Sequence, residues 1–148
     1  MMENFYNALV DTLRADATLV SLTGYTPTNL TILRGPVPKN ALYPNLVFVD
    51  LQTTPAIPDT ATIQKYTVIM LQAQAKDFTT VVRIADRLDV LTMKETQPQN
   101  VQYYDITSTT VQNNWTHWRN RGNPVLDEDT DVWEVTTVVD FSWHLTSP

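Results

Sequence analysis

The sequence contains no cysteine, which removes disulfide scaffolds, thiolate metal centres and thiol nucleophiles together. Glycine is almost as scarce, with three in 148 residues. Loops that cradle phosphate use glycine where the backbone must come close to the ligand, and neither a Walker loop nor a dinucleotide fingerprint occurs. A nucleophile elbow is missing too. The histidines are only two, His117 and His144, and neither lies in a recognisable motif that sets a base beside a nucleophile. These absences argue against an enzyme, and no catalytic residue, cofactor or metal site is expected. No apolar run approaches the roughly 18 residues of a membrane-spanning helix. The N-terminus shows no basic region leading into an apolar stretch, so no secretion signal is visible. A cytosolic-type setting is expected, and the glycosylation patterns at Asn29-Leu30-Thr31 and Asn114-Trp115-Thr116 are then matters of chance.

Basic residues are also few: ten against sixteen acidic ones, a formal net charge of −6. Duplex binding is dominated by neutralisation of phosphates, so gripping DNA is not the expected task. An acidic wall that faces DNA without holding it is compatible with this balance. So is the simpler explanation, solubility.

What remains reads as one globular α+β domain over residues 1–148. Phe5, Leu9 and Leu13 recur every fourth residue, with Tyr6, Val10 and Ala17 broadening the stripe, and predict a helix over 3–22. Asp16 and Thr18 are positioned to interrupt it and start a short second turn, and Gly24 to stop it. Residues 30–33 predict a short strand and 45–51 a compact one, separated by a loop carrying Gly35, Pro36, Pro38 and Pro44. A second loop is expected over 52–60. Residues 62–74 alternate, Tyr66, Val68 and Met70 against Thr67, Ile69 and Leu71; both sets are apolar enough for a central, covered strand. Asp77 should cap a helix over 78–93 with a stripe of Phe78, Val81, Val82, Ala85 and Leu88. Residues 100–111 predict a strand and 112–130 a long loop. The clearest signal is 131–145, where Trp133, Val135, Thr137, Val139, Phe141, Trp143 and Leu145 alternate with mostly polar residues. The expected order is α-β-β-β-α-β-β: one mainly antiparallel sheet with two helices on one face.

Two segments are candidates for function. Trp115-Thr116-His117-Trp118-Arg119-Asn120-Arg121 gathers two tryptophans and two arginines, residue types that concentrate at interface hot spots. The same composition suits tryptophans folded back on the core, or a single-stranded nucleic-acid groove. Arg119 and Arg121 are complementary to the acidic run Asp127 to Asp131 of a neighbouring copy. Asp127, Asp129 and Asp131 begin like a calcium loop, but Val132 and Val138 stand where glycine and glutamate are required, so a solvated acidic turn is expected instead. The proline-rich loops are long for a small domain, a property of segments that touch partners.

The opening helix running into Ala15-Asp-Ala-Thr-Leu-Val-Ser-Leu-Thr-Gly24, then Arg34-Gly-Pro-Val-Pro-Lys-Asn-Ala-Leu-Tyr-Pro44 before Asn45-Leu-Val-Phe-Val, resembles the tail-terminator, or tail-completion, proteins of long-tailed bacteriophages. Ile-Ala-Asp-Arg-Leu at 84–88 fits the same pattern. The resemblance covers most of the chain in element order, though the 112–130 segment is longer and more aromatic than the family pattern. It implies a non-enzymatic virion protein in the tail or neck. Such a protein is made in the host cytoplasm and forms a homo-oligomeric ring, usually a hexamer, with a lumen for DNA. The implied partners are the ring's own copies, the tail tube protein, the connector or stopper of the neck, and the sheath where the tail is contractile. Sequence-specific nucleic-acid binding and membrane contact are not implied. The residues expected at interfaces are Arg34, Pro36, Pro38, Tyr43, Pro44, Trp115, Trp118, Arg119 and Arg121. Two alternatives stay open: a head-completion or connector ring of higher subunit number, and a binding module for a peptide or small ligand.

Overall fold

A computed structural model describes residues 2–36, 40–55, 64–92 and 111–145. The first helical stripe forms α1 (Met2–Ala15), and the expected break falls at Asp16. There the side chain of Asp16 leaves the helix and accepts from the Leu19 amide at 2.9 Å, capping a second helix, α2 (Ala17–Thr23). Gly24 ends α2 in the left-handed region, with φ 71° and its amide donating to the Val20 carbonyl. Any side chain there is strained, which is why a glycine closes the helix.

Strands β1 (Ile32–Arg34), β2 (Asn45–Pro55) and β3 (Gln64–Ala75) follow, then α3 (Phe78–Thr92), β4 (Val111–Arg121), β5 (Val125–Asp127) and β6 (Val132–Leu145). The sheet runs β1-β2-β3-β6-β4, with β5 also paired to β6. Among the described residues, only β1 and β2 are parallel; the other pairings are antiparallel. This is the α+β class read from the sequence, with a third helix where the sequence predicted two.

The core lies between the helices and one face of the sheet. Phe5, Leu9 and Leu13 of α1 and Val81, Ile84, Ala85 and Leu88 of α3 are buried against Leu46, Phe48, Ile69, Leu71, Val135, Val139, Phe141 and Trp143. Phe5 stacks on Trp143 at 4.8 Å between centroids and meets Phe141 edge-on at 5.6 Å. The Trp143 indole N–H donates to the Thr67 hydroxyl at 2.9 Å, so a polar atom that burial would otherwise strand has a partner. Phe78, expected in the buried stripe of α3, is about half exposed (48%). It sits in the first turn of α3, with its ring edge-on to Trp133 of β6 and the rest of the ring in solvent.

The largest correction concerns residues 112–130, expected as a loop. Residues 111–121 form β4 and 125–127 form β5, both paired to β6. Two bulges hide β4 in the sequence: the register skips between Asn113 and Trp115 and again between Trp118 and Asn120. Each bulge shifts the alternation by one residue, so no period of two survives. A bulge at Leu51 likewise lets β2 run on to Pro55, beyond the predicted end at 51. The strand predicted over 100–111 lies outside the described residues, apart from Val111.

Candidate interaction surfaces

The segment leaving β1 is held by its own chain at its start. Arg34 is set opposite Phe48 in the parallel ladder, and its guanidinium lies 3.9 Å from the centre of the Tyr6 ring. The Tyr6 hydroxyl donates to Asp50 across the α1–β2 contact. Burial, and then the hydrogen bond to the Asp50 carboxylate, push the Tyr6 hydroxyl up to about 12. Gly35 follows with its amide on the Phe48 carbonyl at 2.8 Å. A Cβ at Gly35 would stand 3.0 Å from methyl groups of both Val47 and Val49, so the closeness of this crossing requires glycine. Pro36 is exposed and joined to Gly35 by a cis peptide. Pro38 lies outside the described residues.

The far end of the same segment returns at Ala41–Pro44, where Tyr43–Pro44 is also cis. The Asn45 side chain donates to the Leu42 carbonyl at 2.9 Å and fixes the turn. Ala41, Leu42, Tyr43 and Pro44 form one wall of a cleft of about 420 Å³; Ala75, Lys76, Asp77 and Thr80 form the other. Asp77 caps α3 by accepting from the Thr80 amide and hydroxyl, both at 2.9 Å, which holds that wall in place. Of the residues expected at interfaces, Tyr43 and Pro44 therefore share a cleft, while Arg34 is committed to Tyr6.

Trp115 and Trp118 belong to β4, in register opposite Ser142 and Val139. Arg119 falls at the second bulge. It is half exposed, with its Nε 3.4 Å from a carboxylate oxygen of the nearly buried Asp140. The Tyr66 hydroxyl donates to the other Asp140 oxygen at 2.6 Å; burial and then this carboxylate raise the Tyr66 hydroxyl above its ordinary value. Arg121 donates to Asp86 at 2.7 Å and to Asp89 at 2.6 Å, tying the end of β4 to α3. Both arginines thus find carboxylates inside the chain, where the sequence suggested the acidic run of a neighbour.

That acidic run is the turn between β5 and β6. The Asp127 side chain accepts from the Asp129 amide at 3.0 Å, and Asp131 takes a left-handed φ of 56°. Asp127, Glu128, Asp129 and Asp131 are all exposed. Among the described residues, no group of three or more His, Asp or Glu side chains is placed to hold a metal ion.

Sequence reasoning missed several exposed apolar residues, Leu42, Phe78, Val125 and Leu126 among them, alongside the expected Tyr43. Periodicity assigns apolar residues to a core and carries no signal for those left outside it.

No family model and no curated protein matches the sequence. Among solved structures, the chain is similar in fold to a chain from the virion of a native gene transfer agent particle. The TM-score is 0.63 at 13% identity, over 97% of this chain and 96% of that one. A second solved chain, 12% identical over 99% of this chain and 94% of its own, reaches a TM-score of 0.45 and carries no argument. The fold of this chain, a mostly antiparallel sheet covered by helices, is thus shared over nearly its whole length with that chain.

Proposed function

We propose that this chain is a structural virion protein: a tail terminator whose copies form a hexameric ring that caps the tail tube, joins it to the head-side neck and leaves a lumen for DNA. The observation that carries this reading is the fold likeness, over nearly the whole of both chains, to a component of a gene transfer agent virion. The role is assembly rather than catalysis. The protein would reside in the virion, after assembly in the host cytoplasm, in contact with the tube, the neck stopper and, in a contractile tail, the sheath.

The sheet edges support a ring. Among the described residues, β4 pairs only with β6, and residues 50–55 of β2 pair only with β3. Unpaired strand edges are templates for another chain. Following the pairings across the sheet, β4 runs opposite to β2. If sheets continue in the same sense around an axis parallel to the strands, β4 of one copy meets β2 of the next as an antiparallel pair. Such a head-to-tail contact is heterologous, the kind that forms a ring when the rotation per copy closes and a filament when it does not. Of the residues expected at interfaces, Trp115, Trp118, Arg119 and Arg121 lie within β4, the strand at one of these edges.

Deletion of the gene in a particle-producing strain tests the function. The expected result is heads and tails that fail to join, together with about six copies of the chain per intact wild-type particle. Particles joined normally without the protein would overturn the reading, and twelve copies would move it to the head-side connector.

A further inference from the structure

One end of the sheet presents apolar side chains to solvent, linked through the half-buried Trp133. Leu42 and Tyr43 line the cleft; its opposite wall, Ala75–Asp77, leads directly into Phe78, which is about half exposed. The Phe78 ring meets Trp133 edge-on at 5.0 Å, and Trp133 is the cross-strand partner of Leu126, itself exposed. Monomeric proteins rarely leave such a group uncovered, so it marks a contact surface. Beyond Leu126 the chain enters the turn with Asp127, Glu128, Asp129 and Asp131 exposed, so this surface ends in carboxylates. Lys76 and Asp77 on the cleft rim offset one another.

We propose that this end of the sheet docks another virion protein, one that inserts a large apolar side chain between Leu42, Tyr43 and the start of α3 and sets lysine or arginine beside it against the 127–131 turn. That the partner belongs to a virion rests on the reading above; the surface itself is a property of the single chain. The charge of the turn decides the partner's chemistry, because opposite charge at the rim of an apolar contact selects partner and orientation. Within the chain Arg14 donates to the Ile32 carbonyl, Arg34 covers Tyr6, Arg87 pairs with Asp16, Arg119 with Asp140, and Arg121 with Asp86 and Asp89, while Lys76 and Arg83 are exposed, so cross-linking is what separates a second copy from another protein. The strands end here, so in a ring whose axis follows the strands this surface faces along the axis, towards the adjoining layer of the particle, and not towards the ring neighbours.

Photo-cross-linking in cells that make the particle tests the proposal, with a benzophenone amino acid at Leu42, at Leu126 and, as control, at the exposed Arg83. Cross-links from 42 and 126, but not from 83, should land on one other particle protein within a few residues of a lysine or arginine. Glu128→Lys with Asp129→Lys should lower the yield about tenfold, as loss of rim complementarity does. Asp11→Lys combined with Asn4→Lys and Asn7→Lys, the same change of four charges on exposed positions of α1, should leave it unchanged. Cross-links onto this same chain, onto a site without basic residues, or no more often than from position 83 would overturn the docking surface. Absence of the chain from purified particles would instead overturn the virion reading, and the proposed partner with it.

Discussion

Single side chains carry this fold where polar atoms are buried. The Thr67 hydroxyl accepts from the Trp143 indole and is 3.2 Å from the Thr53 hydroxyl. Thr67→Val keeps the shape and removes the partner. It should cost about 1–3 kcal/mol, because a buried donor is left unmade, and Thr67→Ser should recover much of that in chemical denaturation. Asp16 joins α1, α2 and α3: it caps α2 and takes two hydrogen bonds from Arg87, at 2.7 and 3.2 Å. Burial acts to raise its carboxyl, but the Arg87 and Leu19 contacts outweigh it and hold the carboxyl below its ordinary value of 3.8. A lowered folded pKa contributes stability that is complete above the ordinary value and lost as pH falls through the folded one. Asp16→Asn should therefore be less stable than wild type by about 1 kcal/mol at neutral pH, and the gap between the two melting curves should close below about pH 4. Asp16 was legible in the sequence as a helix interruption, since a short acidic side chain before Ala-Thr-Leu is an N-cap signal. Its ion pair with a residue 71 positions away was not, because nothing local encodes that contact.

Among the elements, the long strands with an unbroken period are legible in the sequence, whereas the doubly bulged β4 and the three-residue β5 are not. β6 alternates without interruption over Val132–Leu145 and was placed within a residue of its observed start. β4 carries two bulges and a polar composition, so its pairing is decided by the free edge that β6 offers and not by its own pattern. The same dependence predicts its stability. Arg121 is the link from the end of β4 to α3, and Arg121→Ala should speed hydrogen exchange at residues 119–121 by about fivefold, the loss of ~1 kcal/mol from a partly exposed ion pair. Exchange at the β3–β6 ladder should not change. The cleft between 41–44 and the start of α3 was half legible: the prolines marked a segment outside the helices and central strands, and Tyr43 and Pro44 were singled out. Its second wall came from the β3–α3 turn, which sequence spacing does not bring near residue 43.

At the scale of the whole molecule, the proposed ring closes through the outer edges of β4 and β2. Fold class was open to the sequence because hydrophobic period and helix caps agree in most elements. Assembly was reached only through a resemblance, since a strand edge has no signature of its own. The native mass of the purified protein at tens of micromolar tests the ring most directly. With a subunit of 16.9 kDa, a hexamer near 101 kDa is expected, with β4 amides protected in the assembly and exchanging in the dilute monomer. A species near 203 kDa would keep the ring and reassign it to the connector. A chain that remains at 16.9 kDa across the whole concentration range, with β4 amides equally exposed throughout, would contradict the claim.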